Sequence, residues 1–222
     1  MTDVLQLAAW CGVFAVGIAG CVLVRALGLA ATYVRDLLHV GAAIWILGWP
    51  HWEGPALPVA LVAAVAQGTA ALPLLARRDG IPAMIVKSVT NGDETWTGLV
   101  HYTSMYALFT ALGLLVDPFP AAAGLVALSL GDGIGGAVGR SFGRHHYQVR
   151  GAKRKSIEGS LAVLIAATVG AALVAYLFGR EVDALSLVVL GCVAALAEAL
   201  APRSTDNLLI PIAVWLVATL VI

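Results

Sequence analysis

The sequence predicts an all-α protein, a polytopic bundle of transmembrane helices. Of its 222 residues, 60% are hydrophobic and only 12% are charged, about half the charged fraction, roughly 25%, of a soluble domain. Mean hydropathy is +0.93, and long apolar runs recur along the whole chain, too many for one globular core of this size. No soluble segment stands apart from these runs, so we expect a single integral membrane domain over residues 1–222.

Eight apolar runs are candidate membrane spans, because a spanning helix needs about 20 apolar residues. The second and last runs are short, and the second could be re-entrant, so seven spans remain an alternative to eight. The runs cover residues 4–24, 37–49, 55–76, 99–116, 119–138, 157–178, 184–200 and 208–222. The long polar loop 77–97 between the third and fourth runs could be an amphipathic surface segment, a lid or a solvated loop.

Lysine and arginine placement predicts the orientation, since these residues favour cytoplasmic loops. If eight spans alternate and the basic loop after the fifth span is cytoplasmic, twelve of the thirteen Lys and Arg residues fall on that side. Only Arg180 falls on the other. We therefore expect an integral protein of a prokaryotic plasma membrane with its polar side in the cytoplasm. The net charge of zero gives no reason to expect nucleic-acid binding.

Unusual polar residues converge on this same membrane face from four elements that are distant in sequence. Asp132 lies eight residues before Arg140, about 12 Å into the bilayer at 1.5 Å per helical residue. An acid inside a membrane helix is costly and therefore usually functional, and the same argument applies to Glu198. The remaining members of this layer are Arg35, Asp36, His39, Lys155, Asp206 and Asn207.

Asp132 lies in a glycine-rich run that leads into the most basic segment of the chain. The carboxylate is suited to Mg²⁺, which prefers one or two carboxylates together with substrate phosphates. The glycines strip one helix of side chains, so phosphate or metal could approach its backbone. Four-residue spacing of small residues is equally typical of closely packed membrane helices, and both interpretations stay open. The glycines are Gly131, Gly133, Gly135, Gly136 and Gly139.

The segment Lys155-Ser156-x-Glu158-Gly159-Ser160 opens the next apolar run. A helix start offers free N–H groups to phosphate, with Ser156 as a possible cap and Lys155 as a mobile cation. Glu158 could instead be a plain first-turn acid favoured by the helix dipole. The basic loop as a whole could serve only for orientation or for contact with anionic lipids. Together with Asp132, the segment indicates a membrane enzyme that handles a phosphorylated nucleotide.

Two further sites have open alternatives. His39 shares a helical face with Arg35, four residues earlier, and could be a general base, a phosphate contact or a satisfied interfacial histidine. Asp206 and Asn207 could contact the ligand or could simply form a helix N-cap.

Four segments together resemble the membrane polyprenol kinases, which include phytol kinase and dolichol kinase, and are more distantly similar to phosphatidate cytidylyltransferases. They occur in family order from the second span to the end of the chain. They are YVRDLLHVGA (33–42), LSLGDGIGGAVGRSFGR (128–144), KSIEGSLA (155–162) and AEALAPRSTDNLLIPI (197–212). The chain departs from the family at Asp36, where a lysine is usual, and at Thr205, where an acid is common.

The resemblance implies a kinase domain that transfers the γ-phosphate of CTP, or another nucleoside triphosphate, to the hydroxyl of a long isoprenoid alcohol. Asp132 would hold Mg²⁺ with Glu198 or Asp206, and His39 or one of these acids would accept the alcohol's proton. Lys155 would neutralise developing charge. The other expected nucleotide contacts are Arg35, Gly131, Gly133, Gly135, Gly136, Arg140, Arg144, Ser156, Glu158, Gly159, Ser160, Asp206 and Asn207.

Two rival functions share part of this pattern. A lipid cytidylyltransferase would use the same cofactors but would release pyrophosphate. A transporter is disfavoured, because its polar residues would lie near the midplane and on both faces, whereas here they gather on one side.

Overall fold

The computed structural model describes residues 2–76, 80–90, 96–202 and 205–221. The helices are α1 (Asp3–Ala26), α2 (Ala31–Ala42), α3 (Ala56–Leu75), α4 (Ile81–Val89), α5 (Thr97–Leu115), α6 (Pro118–Val126), α7 (Gly133–Phe142), α8 (Ile157–Leu177), α9 (Ala184–Leu200) and α10 (Asp206–Val221). A 3₁₀ helix (Ala43–His51) continues α2, and a π-helical segment (Ala127–Asp132) joins α6 to α7. Two short antiparallel strands, β1 (His146–Tyr147) and β2 (Lys155–Ser156), form a hairpin. The all-α class is confirmed.

Within the described residues, five helical segments are long and apolar enough to cross a membrane: α1, α3, α5, the continuous α6–α7 segment and α8. The apolar helices α9 and α10 have 17 and 16 residues, about 24–26 Å of helix against a hydrocarbon core of about 30 Å. The second expected span is a composite of α2, with 12 residues, and the 3₁₀ helix, with 9. The helical membrane bundle is confirmed, and the count of eight spans stays a prediction.

Local sequence signals explain where several helices begin and end. Asp117 caps α6 by accepting a hydrogen bond from the Phe119 N–H at 3.1 Å, and Asp183 caps α9 by accepting from the Ser186 N–H at 3.0 Å. Gly179, just beyond α8, has a positive φ of 63°, which costs little only for glycine. These caps satisfy N–H groups that a helix start leaves without partners.

The bundle has one end rich in ion pairs, which we call the polar end, defined by Asp36, Arg140, Lys155 and Glu198. At the opposite end Arg180 pairs with Asp117, so Arg180 lies away from the other described basic clusters, as the charge pattern predicts. Which membrane side each end faces stays a prediction. The basic residues Arg77, Arg78 and Arg203, which also support that prediction, lie outside the described residues.

The segment formed by α6, the π-helical turn and α7 is the centre of the bundle. In its most apolar stretch of 18 residues, 67% of the residues are buried, whereas the corresponding stretch of α1 has 6% buried. Helices α5, α8 and α10 pack around α6, and Phe109, Phe119 and Leu125 are completely enclosed. The acid at the end of the π-helical turn is therefore held by the most deeply buried part of the core.

The π-helical turn is stabilised by hydroxyl groups buried in the membrane domain. Ser129 Oγ donates to the Leu125 carbonyl at 2.7 Å and also contacts the hydroxyls of Tyr102, at 3.2 Å, and Tyr106. A π turn inserts one residue into an α-helix and rotates the residues beyond it, a device found often at functional sites. Asp132 is the last residue of this turn.

The loop expected between the third and fourth spans contains the short helix α4. Ser88 and Val89 are buried, whereas Ile81 and Met84 are exposed, and α4 packs against α1, α2 and α3. A short helix therefore occupies part of this loop, and the amphipathic surface segment, the lid and the solvated loop all stay predictions. The polar run 91–95 lies outside the described residues.

A pair of glycine substitutions tests how tightly the central segment packs. A Cβ added at Gly135 would overlap Val163 Cγ2, whereas one added at Gly131 would meet the nearest atom at 3.5 Å. We expect Gly135→Ala to destabilise the protein by about 1–3 kcal/mol through overpacking, and Gly131→Ala to be close to neutral. Thermal unfolding of both variants in detergent measures the difference; equal melting temperatures would contradict the packing described here.

Candidate active site

A cavity of about 450 Å³ opens at the polar end. Five separate parts of the chain line it: α2, the π turn with α7, the hairpin with the start of α8, the end of α9 and the start of α10. The lining is dominated by charged side chains and glycines. Its charged members are Arg35, Asp36, Asp132, Arg140, Lys153, Arg154, Lys155, Glu198 and Asp206. The predicted convergence of distant polar residues on one layer is confirmed.

Lys155 forms the inner ion pair of the cavity. Its Nζ pairs with Glu198 Oε1 and lies 3.9 Å from Asp206 Oδ2, and the Lys155 and Glu198 side chains are only 16% and 7% exposed. Burial alone would lower the pKa of Lys155, but the charges of Glu198, Asp132 and Asp206 outweigh it and raise the pKa above its ordinary value. The ammonium group is therefore held fully protonated across the neutral range.

Asp132 differs from the other acids of the cavity because its carboxylate has no hydrogen bond or ion pair with a described residue; we call such an acid uncommitted. It lines the cavity but makes no hydrogen bond or ion pair with any residue that the structure describes. Glu198 is paired with Lys155, and Asp206 lies 4.0 Å from Lys153 Nζ. A carboxylate without such a partner in a polar cavity is the group most available to a cation or a ligand.

The described residues contain no group of three His, Cys, Asp or Glu side chains that could hold a metal ion by themselves. The expected ligand set of Asp132, Glu198 and Asp206 is therefore not assembled as a three-carboxylate site, because Glu198 faces Lys155. The arrangement still fits Mg²⁺, which usually takes one or two carboxylates and completes its coordination with water and substrate phosphates. Asp132 and Asp206 can supply those two carboxylates.

His39 is a buried cavity residue of α2 with a defined orientation. Its Nδ1 lies 2.9 Å from the Arg35 carbonyl, and the Tyr102 ring lies with its centroid 4.0 Å from that of the imidazole. The Tyr102 hydroxyl donates to the His39 carbonyl at 3.0 Å. Because a carbonyl only accepts, Nδ1 carries hydrogen, and the neutral imidazole presents its lone pair at Nε2.

Asp36 and Arg140 form a second ion pair across α2 and α7. The guanidinium carbon lies 5.2 Å from the centroid of the Tyr33 ring, and the Tyr33 hydroxyl lies 2.9 Å from Ser141 Oγ. Arg140 is thus held at the edge of the cavity by a carboxylate and an aromatic face. This carboxylate stands at the position where the chain departs from the polyprenol kinase pattern.

The comparison with known proteins shows the family of the chain. The phytol kinase of Synechocystis sp. (strain ATCC 27184 / PCC 6803 / Kazusa) is 32% identical over 226 aligned positions, which cover 87% of this chain and 90% of that protein. The chain belongs to the polyprenol kinase family. No family model matches the sequence, and no solved structure matches it significantly.

In this member of the polyprenol kinase family, some of the backbone N–H groups at the start of α8 already donate hydrogen bonds within the protein. Ser156 is the N-cap, as predicted, and accepts from the Gly159 N–H at 3.1 Å, while the Ile157 N–H donates to the His145 carbonyl at 2.9 Å. The helix start therefore offers fewer free N–H groups to phosphate than expected. The positive side chains of the cavity are its main attraction for anions.

Glu158 and Arg144 lie outside the cavity lining, and their expected nucleotide contacts stay predictions. Glu158 accepts from the Arg144 N–H at 3.1 Å and contacts His145 Nδ1 at 2.7 Å, and the His145 side chain is 74% exposed. Glu158 therefore fastens the loop after α7 to the first turn of α8. This role is closer to the alternative of a first-turn acid.

Some glycines of the run contact neighbouring helices, and others line the cavity. Gly131 faces Ala167 and Val163 of α8, and Gly133 faces Val40 of α2; neither lines the cavity, so for these two the packing alternative holds. Gly135, Gly136 and Gly139 do line it, together with Gly159 and Ser160.

Asn207 is also absent from the cavity lining, and its expected nucleotide contact stays a prediction. Its Nδ2 donates to the Gly98 carbonyl at 2.8 Å, tying α10 to α5, and its side chain lies beside the His39 imidazole. Its Oδ1 is buried without a hydrogen-bond partner among the described residues.

Sequence reasoning passed over several residues of this site. His146, Lys153 and Arg154 line the cavity but were not among the expected site residues, and Asp36 was placed in the polar layer without a role. Lys153 and Arg154 were visible only as part of a basic run, because nothing in the sequence separates the cations that turn inward from those that face solvent. Asp36 carried one signal, an acid directly beside Arg35 at the start of a span.

The ion pair between Lys155 and Glu198 predicts a specific pattern of stability. Lys155→Met leaves a buried carboxylate without its partner, which typically costs about 3–5 kcal/mol. Adding Glu198→Leu should restore much of that loss, because an apolar pair of similar volume needs no counter-charge. Thermal unfolding in detergent compares the single and double variants, with Lys87→Met, at an exposed lysine of α4, as the control. A double variant as unstable as the sum of both single variants would contradict the pairing.

Proposed function

We propose that this chain transfers the γ-phosphate of a nucleoside triphosphate, CTP in the first place, to the hydroxyl of an isoprenoid alcohol. The reaction would take place at the cytoplasmic face of a prokaryotic plasma membrane. The observation that carries the proposal is the single cavity that joins the uncommitted Asp132 with Lys155, Arg140 and His39. The relative is named a phytol kinase, which supports an alcohol with an isoprenoid chain as the acceptor.

Phosphoryl transfer depends mostly on positioning and on neutralising charge, and the cavity offers both. The alcohol oxygen forms a bond to the γ-phosphorus while the bond from that phosphorus to the nucleoside diphosphate breaks. Lys155, held inside the cavity, and Arg140, at its edge, would stabilise the negative charge on the phosphoryl oxygens. Lys153 and Arg154 would bind the outer phosphates of the donor.

The carboxylates of Asp132 and Asp206 would hold a magnesium ion, which when bound neutralises charge on the triphosphate. Glu198 contributes in another way, because its carboxylate is already paired with Lys155. We assign Glu198 to the placement of this lysine. Asp132 and Asp206 remain as the metal ligands of the proposed set.

His39 is the proposed acceptor of the alcohol's proton. The other two candidates are engaged with lysines, Glu198 with Lys155 and Asp206 with Lys153 and Lys155. The lone pair of a neutral His39 is at Nε2, on a ring that lines the cavity. Once Nε2 is protonated, the adjacent Asn207 Oδ1 can accept a hydrogen bond from it and stabilise the imidazolium.

One assay tests the proposed function and separates it from cytidylyl transfer. The purified protein in lipid nanodiscs receives Mg²⁺, each of four γ-labelled nucleoside triphosphates, and phytol, geranylgeraniol or a longer polyprenol. A kinase transfers the label to a lipid monophosphate and leaves a nucleoside diphosphate. In a parallel reaction with a lipid monophosphate such as phosphatidate as the acceptor, release of labelled pyrophosphate together with a CDP-lipid would instead show a cytidylyltransferase. No lipid product with any pair would contradict both.

Asp132→Asn removes one negative charge at nearly constant volume. We expect kcat/KM to fall at least about 100-fold, since a carboxylate that holds the metal ion supports a charge stabilisation of the transition state worth several kcal/mol. Magnesium-dependent nucleotide binding should weaken as well. Asp183→Asn, at the cap of α9 on the opposite end, is the control and should behave as wild type. Unchanged activity in Asp132→Asn would remove the metal role.

His39→Gln tests the proton acceptor. Loss of a general base typically reduces the rate by about 10²–10⁴-fold, so kcat should fall by that order while nucleotide affinity is retained. His51→Gln, in an exposed position at the end of the 3₁₀ helix, is the matched control. If His39→Gln retains kcat, the proton is taken by another group, and Asp206→Asn becomes the next variant to measure.

A further inference from the structure

Tyr147 is a hairpin residue that has no part in the reaction proposed above. In the antiparallel pairing of β1 with β2 it lies directly opposite Lys155. Residues opposite each other in such a pair have Cβ atoms about 4.5–5.5 Å apart. The strand that carries the tyrosine is therefore fixed relative to the strand that carries the cavity lysine.

A chain of polar contacts leads from Tyr147 back to the same lysine. The Tyr147 hydroxyl lies 2.6 Å from Ser160 Oγ, and Ser160 Oγ donates to Glu198 Oε2 at 3.4 Å. The other oxygen of this carboxylate, Oε1, pairs with Lys155. Because Ser160 uses its hydrogen toward the carboxylate, it must accept the one from Tyr147.

The contacts form a closed ring that connects three elements, the hairpin, the first turn of α8 and the last turns of α9. Each oxygen of Glu198 has its own partner, so the plane of the carboxylate is set from two sides. Lys155 Nζ is placed by this carboxylate, since Glu198 is its direct partner. Without the ring, a lysine on a flexible stem could turn to Asp206, which lies 3.9 Å away.

The hairpin does not need Tyr147 to keep its place. The His145 carbonyl accepts from the Ile157 N–H at 2.9 Å, and Gln148 Nε2 donates to the Ala152 carbonyl at 3.1 Å. Ala152 also forms an isolated β-bridge with Pro202. Removal of a single hydroxyl should therefore leave the fold intact and change only the groups that the hydroxyl orients.

We propose that Tyr147 is a positioning residue that acts through Ser160 and Glu198 to place the Lys155 ammonium against the transferring phosphoryl group. The inference rests on the proposed kinase function. A displacement of about 1 Å in a catalytic group can reduce the rate by about 10²-fold, so a hydroxyl that does not touch the substrate can control kcat.

Tyr147→Phe removes only this hydroxyl, and Tyr176→Phe is the matched control, at a tyrosine 88% exposed near the opposite end. We expect kcat of Tyr147→Phe to fall about 10-fold, within the range for a misplaced catalytic group, while KM for the nucleotide stays within about 2-fold. The control and the melting temperatures of both variants should match the wild type.

A double-mutant cycle shows whether the effect passes through Glu198. In a Glu198→Gln background, Tyr147→Phe should cause little further loss of kcat, because the group through which it acts is already altered. A tyrosine that only supports the fold would instead give additive losses, and additive losses would overturn the proposal.

Lysine labelling gives a readout that does not depend on activity. An amine-reactive reagent is applied over a pH series, and mass spectrometry measures the modification of Lys155 separately from that of Lys153. Tyr147→Phe should increase the labelling of Lys155 relative to wild type, and Tyr176→Phe should not. If wild type shows no transfer, the proposed function fails while the labelling still tests the ring. An active enzyme in which Tyr147→Phe leaves kcat or Lys155 labelling unchanged would overturn the positioning role.

Discussion

The burial of an ion pair at one end of an apolar bundle is the constraint on which the site depends. Lys155 and Glu198 are 43 residues apart in sequence and come from the hairpin and α9, and a charge left without its partner at this depth of burial would be costly. Their pairing ties the hairpin to the last turns of α9. The hairpin also brings Lys153 and Arg154 to the cavity lining.

The acids of the cavity divide into two kinds. Asp36 and Glu198 serve as counter-ions, for Arg140 and Lys155 respectively, and so hold positive charge where an anionic ligand would meet it. Asp132 has no such partner in the described part of the chain. A site in which Asp132 is unpaired and Asp206 lies only 3.9–4.0 Å from two lysines suits a triphosphate bound together with a divalent cation, which is the chemistry proposed for this family member.

The central segment, formed by α6, the π-helical turn and α7, leaves the Asp132 carboxylate accessible to a ligand. The π turn and the glycines beyond it let α7 approach α8 and α2 closely, and Gly135 and Gly159 are in near contact across α7 and α8. Because these residues have no side chains, the helices can pack tightly and still leave room beside Asp132. Some glycines of this run therefore serve helix packing, and their neighbours in the same segment line the cavity where a ligand could approach the backbone.

The sequence by itself determined the all-α membrane bundle, the family resemblance and the membrane layer in which the polar residues meet, because hydropathy and short motifs are local properties. It also identified Asp132, Lys155, Glu198 and His39 as the unusual side chains. Only the tertiary structure decided which carboxylate is free and which is paired, and that Glu158 contacts the loop after α7 while Asn207 ties α10 to α5. The reason is physical: ion pairs and hydrogen bonds between helices join residues far apart in the chain, and no periodic pattern records which partner each charge will find.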